Sequence, residues 1–127
     1  MGYDLQRTTT AYLNKDDQDW LASAHGVTAA DSATLDAASF ATAFPTLEVP
    51  SGTHIGKQGN GTYRPFLAAN VGDTDRGFLL HGVKLTSAVV NAIGALFWHG
   101  EVVTARVPLG VGQAAPVAAS VPFIRLV

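Results

Sequence analysis

The stretch THIGKQGNGTYRPFL, residues 53–67, contains the clearest fold signal in the chain. Two short runs suited to β-strands flank the tetrapeptide Gln58-Gly59-Asn60-Gly61. Its glycine and asparagine residues tolerate the positive φ angles that a tight turn between two strands requires. The pattern therefore predicts an antiparallel hairpin, with strands over residues 53–57 and 62–67.

Further short strands are predicted on the C-terminal side of this hairpin. Residues 77–83 are apolar on both alternating faces, as in a strand that is covered on both sides. Residues 93–107 form the longest strand candidate, in which Gly94 and Gly100 disfavour a helix. Residues 121–127 fit a final strand, and six prolines between residues 45 and 122 disfavour long helices. The sequence from residue 34 onward predicts an all-β domain of short strands.

The N-terminal part of the chain differs from this domain in charge and in pattern. Residues 1–49 contain seven acidic and two basic side chains, whereas residues 50–127 contain three acidic and six basic ones. Residues 1–33 show no sustained period of two or of 3.6 residues, although residues 16–24 could form a short capped helix. We expect an extended N-terminal arm over residues 1–33 and a β-rich domain over residues 34–127.

Large apolar side chains stand alone among the polar residues of the predicted arm. Such a segment can fold back on its own domain or can bury these side chains against a neighbouring protein. The second alternative is favoured, because a segment that becomes ordered on binding can reach across a partner. The candidate anchors are Leu5, Tyr12, Leu13, Trp20 and Leu21.

Composition excludes several classes of function. Of the 127 residues, 47% are hydrophobic and 14% are charged, a combination that argues against wholesale disorder. A net charge of −2 offers no basic field for a nucleic-acid backbone, and the absence of cysteine removes disulfides and thiolate chemistry. The longest apolar run is too short to span a membrane, and residues 1–6 lack the pattern of a secretory signal. We expect a protein made in the cytoplasm, with no nucleic-acid or membrane partner.

No motif in the sequence indicates a cofactor, a metal or a catalytic nucleophile. Residues 110–115 fit a dinucleotide-binding pattern, but Pro116 follows at once and prevents the helix that this pattern requires. The four histidines lack metal-ligand spacing, and there is no nucleophile elbow. Asp73 and Asp75 are interpreted as part of a solvated turn. The sequence therefore predicts neither an enzyme nor a cofactor-binding protein.

Short motifs in a fixed order along most of the chain resemble the bacteriophage head decoration proteins. This family includes the lambda-type capsid-stabilising protein, and the likeness is greatest to members from phages that infect actinobacteria. In the N-terminal part the matching residues are Asp19-Trp20-Leu21, Ser23, His25-Gly26 and Thr34-Leu35-Asp36. In the rest of the chain they are residues 47–52, 55–57, 63–66, 77–80, 83, 91–102 and 106–108.

The resemblance implies a structural protein on the outer surface of a virion. Family members have a small barrel-like β domain, described as a β-tulip, and form homotrimers at local threefold positions of the head shell. There they cement the major capsid protein, which the N-terminal segment typically engages. The predicted strand faces and C-terminal strand suggest these trimer or shell contacts: Phe97, Trp98, His99, Phe123 and Leu126.

Two other functions are compatible with the sequence. The first is a receptor-binding or glycan-binding module of a virion, with Trp98 and His99 as its platform. The second is a small trimeric β enzyme whose site is shared between subunits. Its candidate residues are Asp73, Asp75, His81 and His99.

Overall fold

The computed structural model describes residues 18–23, 27, 30–67, 70, 72–117, 121 and 123–127. Within them the chain forms short strands, one α-helix and one 3₁₀ helix, Thr104–Arg106. The α-helix is α1 (Ala37–Ala43), and it is too short to cross a membrane. The strands are β1 (Asp31–Leu35), β2 (Glu48–Val49), β3 (His54–Lys57), β4 (Tyr63–Pro65), β5 (Thr74–Leu79), β6 (Val83–Lys84), β7 (Ala92–Phe97), β8 (Gly100–Val102) and β9 (Ile124–Leu126).

Five of these strands close into a barrel in the order β1-β4-β3-β5-β7. Four of the five pairings are antiparallel, and the parallel pairing of β1 with β4 closes the barrel through Leu35 and Tyr63. These directions place the first residues of β1, β4 and β5 at the same end of the barrel as the last residues of β3 and β7. We call this end the barrel mouth.

The side chains of β5 and β7 alternate between two buried clusters. The first cluster includes Leu79 and Leu96, together with residues from each of the other three barrel strands, and it therefore fills the barrel interior. The second cluster includes Phe78 and Phe97 and lies on the outer face of the same two strands. Because both faces are covered there, the buried parts of the two strands, residues 77–79 of β5 and 96–97 of β7, contain no polar side chain.

The predicted all-β domain of short strands is confirmed, and so is the predicted hairpin. β3 and β4 pair in antiparallel fashion, and Gly61 in the turn between them has a φ angle of 91°. The expected cover on both faces of residues 77–83 holds for residues 77–80, which are buried. The prediction of one long strand over residues 93–107 is wrong, because the chain leaves β7 after Phe97 and re-enters a separate sheet at Gly100.

The described part of the predicted arm packs against the domain. Trp20 is fully buried in the second cluster, and the backbone of Leu21 forms an antiparallel bridge with Val102. β1 begins at Asp31 and pairs along its whole length with β7. Residues 18–23 and 30–33 therefore take part in the packing of the β-rich part of the chain, ahead of the boundary predicted at residue 33. Residues 18–23 also contain no helix, and residues 1–17 lie outside the described part of the chain.

Trp20 is held at a position where the backbone of Gly52 approaches the indole closely. Gly52 has a φ angle of 91°, and a Cβ atom added there would lie 2.6 Å from Cδ1 of Trp20. Gly61 has the same φ angle, but apart from its two chain neighbours no described residue has an atom within 4 Å of its added Cβ. The two glycines thus share one backbone constraint, and only Gly52 carries a packing constraint as well.

We predict that Gly52→Ala destabilises the protein much more than Gly61→Ala. The left-handed backbone costs an alanine about 1–2 kcal/mol at either position, and the collision with Trp20 adds about 1–3 kcal/mol at residue 52. Urea unfolding followed by circular dichroism measures both values. Equal losses in the two variants would contradict the packing of Trp20 on Gly52.

His54 is a buried polar residue whose ring lies among aromatic side chains. Its ring stacks on Phe78 at a centroid distance of 5.0 Å and lies 4.9 Å from the ring of Phe66. Its Nε2 atom has no hydrogen-bond partner among the described residues. Burial, and to a lesser extent the positive charge of Arg76, lower the pKa of His54 from 6.5 to about 4.

We predict that the protein loses stability as the pH falls from about 6.5 to about 4. In this range the unfolded chain binds a proton on His54 that the folded chain does not, which costs about 3 kcal/mol in total. The free energy of unfolding, measured in urea at pH 7, 5.5 and 4.5, should decline less in His54→Gln than in the wild type. Identical slopes in the two proteins would assign the acid sensitivity to other groups.

Candidate functional site

A cavity of about 800 Å³ opens at the barrel mouth. All five barrel strands contribute to its wall, and Trp98 and Phe123 extend it beyond the strands. The barrel strands supply Asp31 and Ser32 from β1, Lys57 from β3, Tyr63 from β4, Thr74, Asp75 and Arg76 from β5, and Leu96 from β7, while Asp73 immediately precedes β5. Because these positions belong to hydrogen-bonded strands, the wall is held in place by the barrel itself.

An ion pair between half-buried Arg64 and the buried carboxylate of Asp73 supports one side of the cavity. The guanidinium of Arg64 donates from Nε to Asp73 Oδ2 at 2.9 Å and from Nη2 to Asp73 Oδ1 at 3.0 Å. The hydrogen bond to Asp73 raises the pKa of Arg64. The interpretation of Asp73 as a solvated turn residue is wrong, because its carboxylate is buried and holds Arg64 in a bidentate pair.

Arg76 is fixed by the same loop and by an aromatic ring. Its Nε donates to the backbone carbonyl of Asp73 at 2.9 Å, and its guanidinium lies 4.6 Å from the centroid of the Phe66 ring. A cation over an aromatic face is attracted by the negative potential of the ring. Arg76 therefore presents a positive charge at the cavity wall from an ordered position.

A β-bulge in β5 places Asp75 at the cavity wall. Between its pairs with Ile55 and Lys57 of β3, β5 contains one residue more than its partner, and Asp75 in this stretch has a φ angle of 46°. The left-handed conformation is unfavourable for a non-glycine residue, and such bulges change the direction of a side chain. The Asp75 carboxylate lies 3.6 Å from Nζ of Lys57.

Tyr63 lies at the start of β4 and is buried at the wall of the cavity. Burial raises the pKa of its phenol, and the negative charges of Asp75 and Asp31 raise it further. The phenol is therefore neutral throughout the physiological range. It can both donate and accept a hydrogen bond.

Two aromatic side chains form the outer part of the wall. The rings of Trp98 and Phe123 meet edge to face with their centroids 6.1 Å apart, and the ring of His99 lies 5.6 Å from Trp98. Trp98 and His99 are half-buried, whereas 67% of the surface of Phe123 is exposed. This arrangement brings together three of the residues that the sequence predicts as trimer or shell contacts.

The other predicted contact residues are placed differently. Phe97 is fully buried in the second cluster, and Leu126 packs partly against that cluster. Phe97 is thus a core residue of the chain, and alternation along a strand could not show that both faces of β7 are covered there. Trp20 is likewise fully buried, and Leu21 is half-buried beside it. Leu5, Tyr12 and Leu13 lie outside the described residues.

The four residues of the suggested enzyme site are not gathered in one place. Asp73 and Asp75 line the cavity at the barrel mouth, and His81 and His99 do not. His81 Nδ1 instead lies 3.2 Å from Nε2 of Gln18. Among the described residues, no group of three or more His, Asp or Glu side chains could hold a metal ion.

Several large apolar side chains are exposed at positions that the sequence patterns do not single out. Val89 and Val90 precede β7, and Ile93 lies near its start, at the end of the barrel opposite the mouth. Val89 is 87% exposed and Ile93 is 73% exposed. We call Val89, Val90 and Ile93 the valine–isoleucine patch. Other apolar side chains at least half exposed are Leu109, Val111, Val117, Phe123 and Val127.

No family model, no curated protein and no solved structure matches this chain. The placement of its own residues therefore carries the functional argument. Two surfaces stand out by their chemistry: the barrel mouth, which combines charged and aromatic side chains, and the valine–isoleucine patch, which is apolar.

We predict that Asp73→Asn destabilises the protein by about 2–3 kcal/mol, because the variant leaves Arg64 without its buried anionic partner. Asp19→Asn is the matched control, since Asp19 forms an exposed ion pair with Arg106 at 3.2 Å. The side chain of Asp73 is 5% exposed and that of Asp19 is 46% exposed, so the control should cost at most about 1 kcal/mol. Thermal unfolding at low and high salt measures the stability of both variants. Equal losses of stability in the two variants would show that the burial of Asp73 contributes nothing.

Proposed function

We propose that this protein is a structural component of a bacteriophage virion that binds the outer surface of the head as a homotrimer and cements the major capsid protein. The observation that carries the proposal is the exposure, within the described part of the chain, of eight large apolar side chains, three of them within residues 89–93, in a sequence with few charges. Apolar side chains that are exposed together, rather than singly, mark sites of contact with other proteins. The resemblance of its motifs to head decoration proteins supports the same role.

The valine–isoleucine patch is the best candidate for a contact with a neighbouring protein. Val89, Val90 and Ile93 are close in sequence and exposed at one end of the barrel. Burying one side chain of this size removes its apolar surface from water, and this burial contributes about 1.5–3 kcal/mol to the free energy of binding. Three copies in one trimer would engage together, so that weak individual contacts combine into tight attachment.

Packing of the segment 18–23 against the domain changes the expected role of the N-terminal arm. Trp20 is fully buried, so its indole serves the core and is not available to the shell. The arm contacts that we retain in the proposal are Leu5, Tyr12 and Leu13. Within the domain we retain His99 and Leu126 as trimer or shell contacts, and we leave Trp98 and Phe123 to the cavity at the barrel mouth, which their side chains line.

The proposal predicts that the full-length protein sediments with the mass of three chains and binds expanded heads assembled from its major capsid protein. Replacing Val89, Val90 and Ile93 together by serine should weaken binding about tenfold or more, because the variant removes exposed apolar area and no core contact. Replacing Leu5, Tyr12 and Leu13 together by serine should weaken it in the same way. Co-sedimentation with heads measures both.

Val111→Ser is the matched control, since Val111 is also exposed but lies in the loop after the 3₁₀ helix. Its affinity for heads should equal that of the wild type. A monomeric protein that leaves heads undecorated would overturn the proposal. Full binding by both triple-serine variants would overturn the assignment of the contacts.

A further inference from the structure

We propose that the cavity at the barrel mouth binds a neutral saccharide. This binding function goes beyond the cementing role and does not depend on it. The juxtaposition that supports it is a balanced set of acidic and basic side chains, Asp31, Asp75, Lys57 and Arg76, with the aromatic rings of Tyr63, Trp98 and Phe123 around one open cavity.

The shape and construction of the cavity suit a small ligand. Its volume of about 800 Å³ lies within the range of about 300–1,000 Å³ that is typical of small-molecule sites. The mouths of β-barrels are common locations for such sites, because strand ends converge there on a shared opening. Most of the wall residues belong to the paired strands of the barrel, so a ligand would find most of the site already formed.

The balance of charge argues for a neutral ligand. Asp73 is neutralised by Arg64, which leaves Asp31 and Asp75 against Lys57 and Arg76 at the wall. An anion in the cavity would meet the two carboxylates, and a cation would meet the ammonium and the guanidinium. A ligand without charge but with many hydroxyl groups can donate hydrogen bonds to the two carboxylates and accept hydrogen bonds from the ammonium and the guanidinium.

The aromatic side chains argue against a purely polar ligand, and the charged ones argue against a purely apolar ligand. An apolar molecule would remove Lys57 and Asp75 from water without giving them hydrogen bonds, which is costly. A sugar ring has hydroxyl groups at its edge and C–H groups on its face. Its face can lie on the ring of Trp98 or Phe123 while its edge reaches the charged groups.

The bulge at Asp75 gives the cavity a feature that strand formation alone does not require. The left-handed backbone at this residue costs free energy, and strain of this kind concentrates at binding sites. It places a carboxylate, 60% exposed, next to the ammonium of Lys57 at the cavity wall. We assign Asp75 the role of an acceptor for sugar hydroxyl groups.

The test uses the isolated full-length protein and four neutral disaccharides: maltose, cellobiose, lactose and trehalose. Binding is followed by tryptophan fluorescence, in which Trp20 is buried and Trp98 reports on the cavity, and by isothermal titration calorimetry. We expect saturable binding of at least one disaccharide with a Kd of about 1 mM or tighter. Glucose 6-phosphate and glucosamine are the charged comparison probes, and we expect both to bind more weakly.

Two cavity variants should weaken binding about tenfold or more: Asp75→Asn and Phe123→Ala. Each has a matched control outside the cavity. Asp19→Asn also removes an exposed carboxylate from an ion pair, and Val111→Ala truncates a side chain that is 67% exposed, as Phe123 is. The control variants should bind as the wild type does.

Absence of saturable binding for all four disaccharides at ten times the expected Kd would overturn the proposal. Preferential binding of a charged probe would overturn the argument from charge balance. Binding that survives in both cavity variants would place the sugar elsewhere on the protein. Since no heads are present in these measurements, failure here leaves the cementing role to be decided by its own experiment.

Discussion

The indole of Trp20 joins separated parts of the chain in one buried cluster. Its N–H donates to Ser51 Oγ at 3.0 Å, and that hydroxyl donates in turn to the carbonyl of Leu80. Its ring lies edge to face against Phe97 and packs beside Phe78. Without this ring, Phe78 of β5 and Phe97 of β7 would lose an aromatic contact on the outer face of the barrel. The barrel wall therefore depends on a residue that lies outside the barrel strands.

The same segment also positions the outer wall of the cavity. The carbonyl of Trp20 accepts a hydrogen bond from the backbone of Val103, and Ala22 donates to the carbonyl of Glu101. β8 is thereby held between the segment 18–23 and β9. Trp98 precedes β8 and Phe123 precedes β9, so this small sheet determines where the two aromatic rings meet. Core packing and the geometry of the candidate site are consequently linked.

Features that depend on local backbone chemistry could be predicted from the sequence, and features that depend on distant partners could not. The hairpin follows from glycine and asparagine at three consecutive turn positions, residues 59–61. The burial of Trp20 depends on Gly52, 32 residues away, and no periodicity marks a lone aromatic residue. Asp73 looks like a turn residue within Gly-Asp-Thr-Asp, and only the fold brings Arg64 of β4 to it. The cavity joins five strands, so no local pattern could reveal it.

The two surfaces of interest lie at opposite ends of one strand. Ile93 of the valine–isoleucine patch and Trp98 at the barrel mouth are five residues apart along β7 and its extension. An extended chain rises about 3.3 Å per residue, which separates the two positions by roughly 16 Å along the barrel. A neighbouring protein seated on Ile93 could therefore leave the mouth open to solvent. Attachment through the patch and saccharide binding at the mouth are sterically compatible in one protomer.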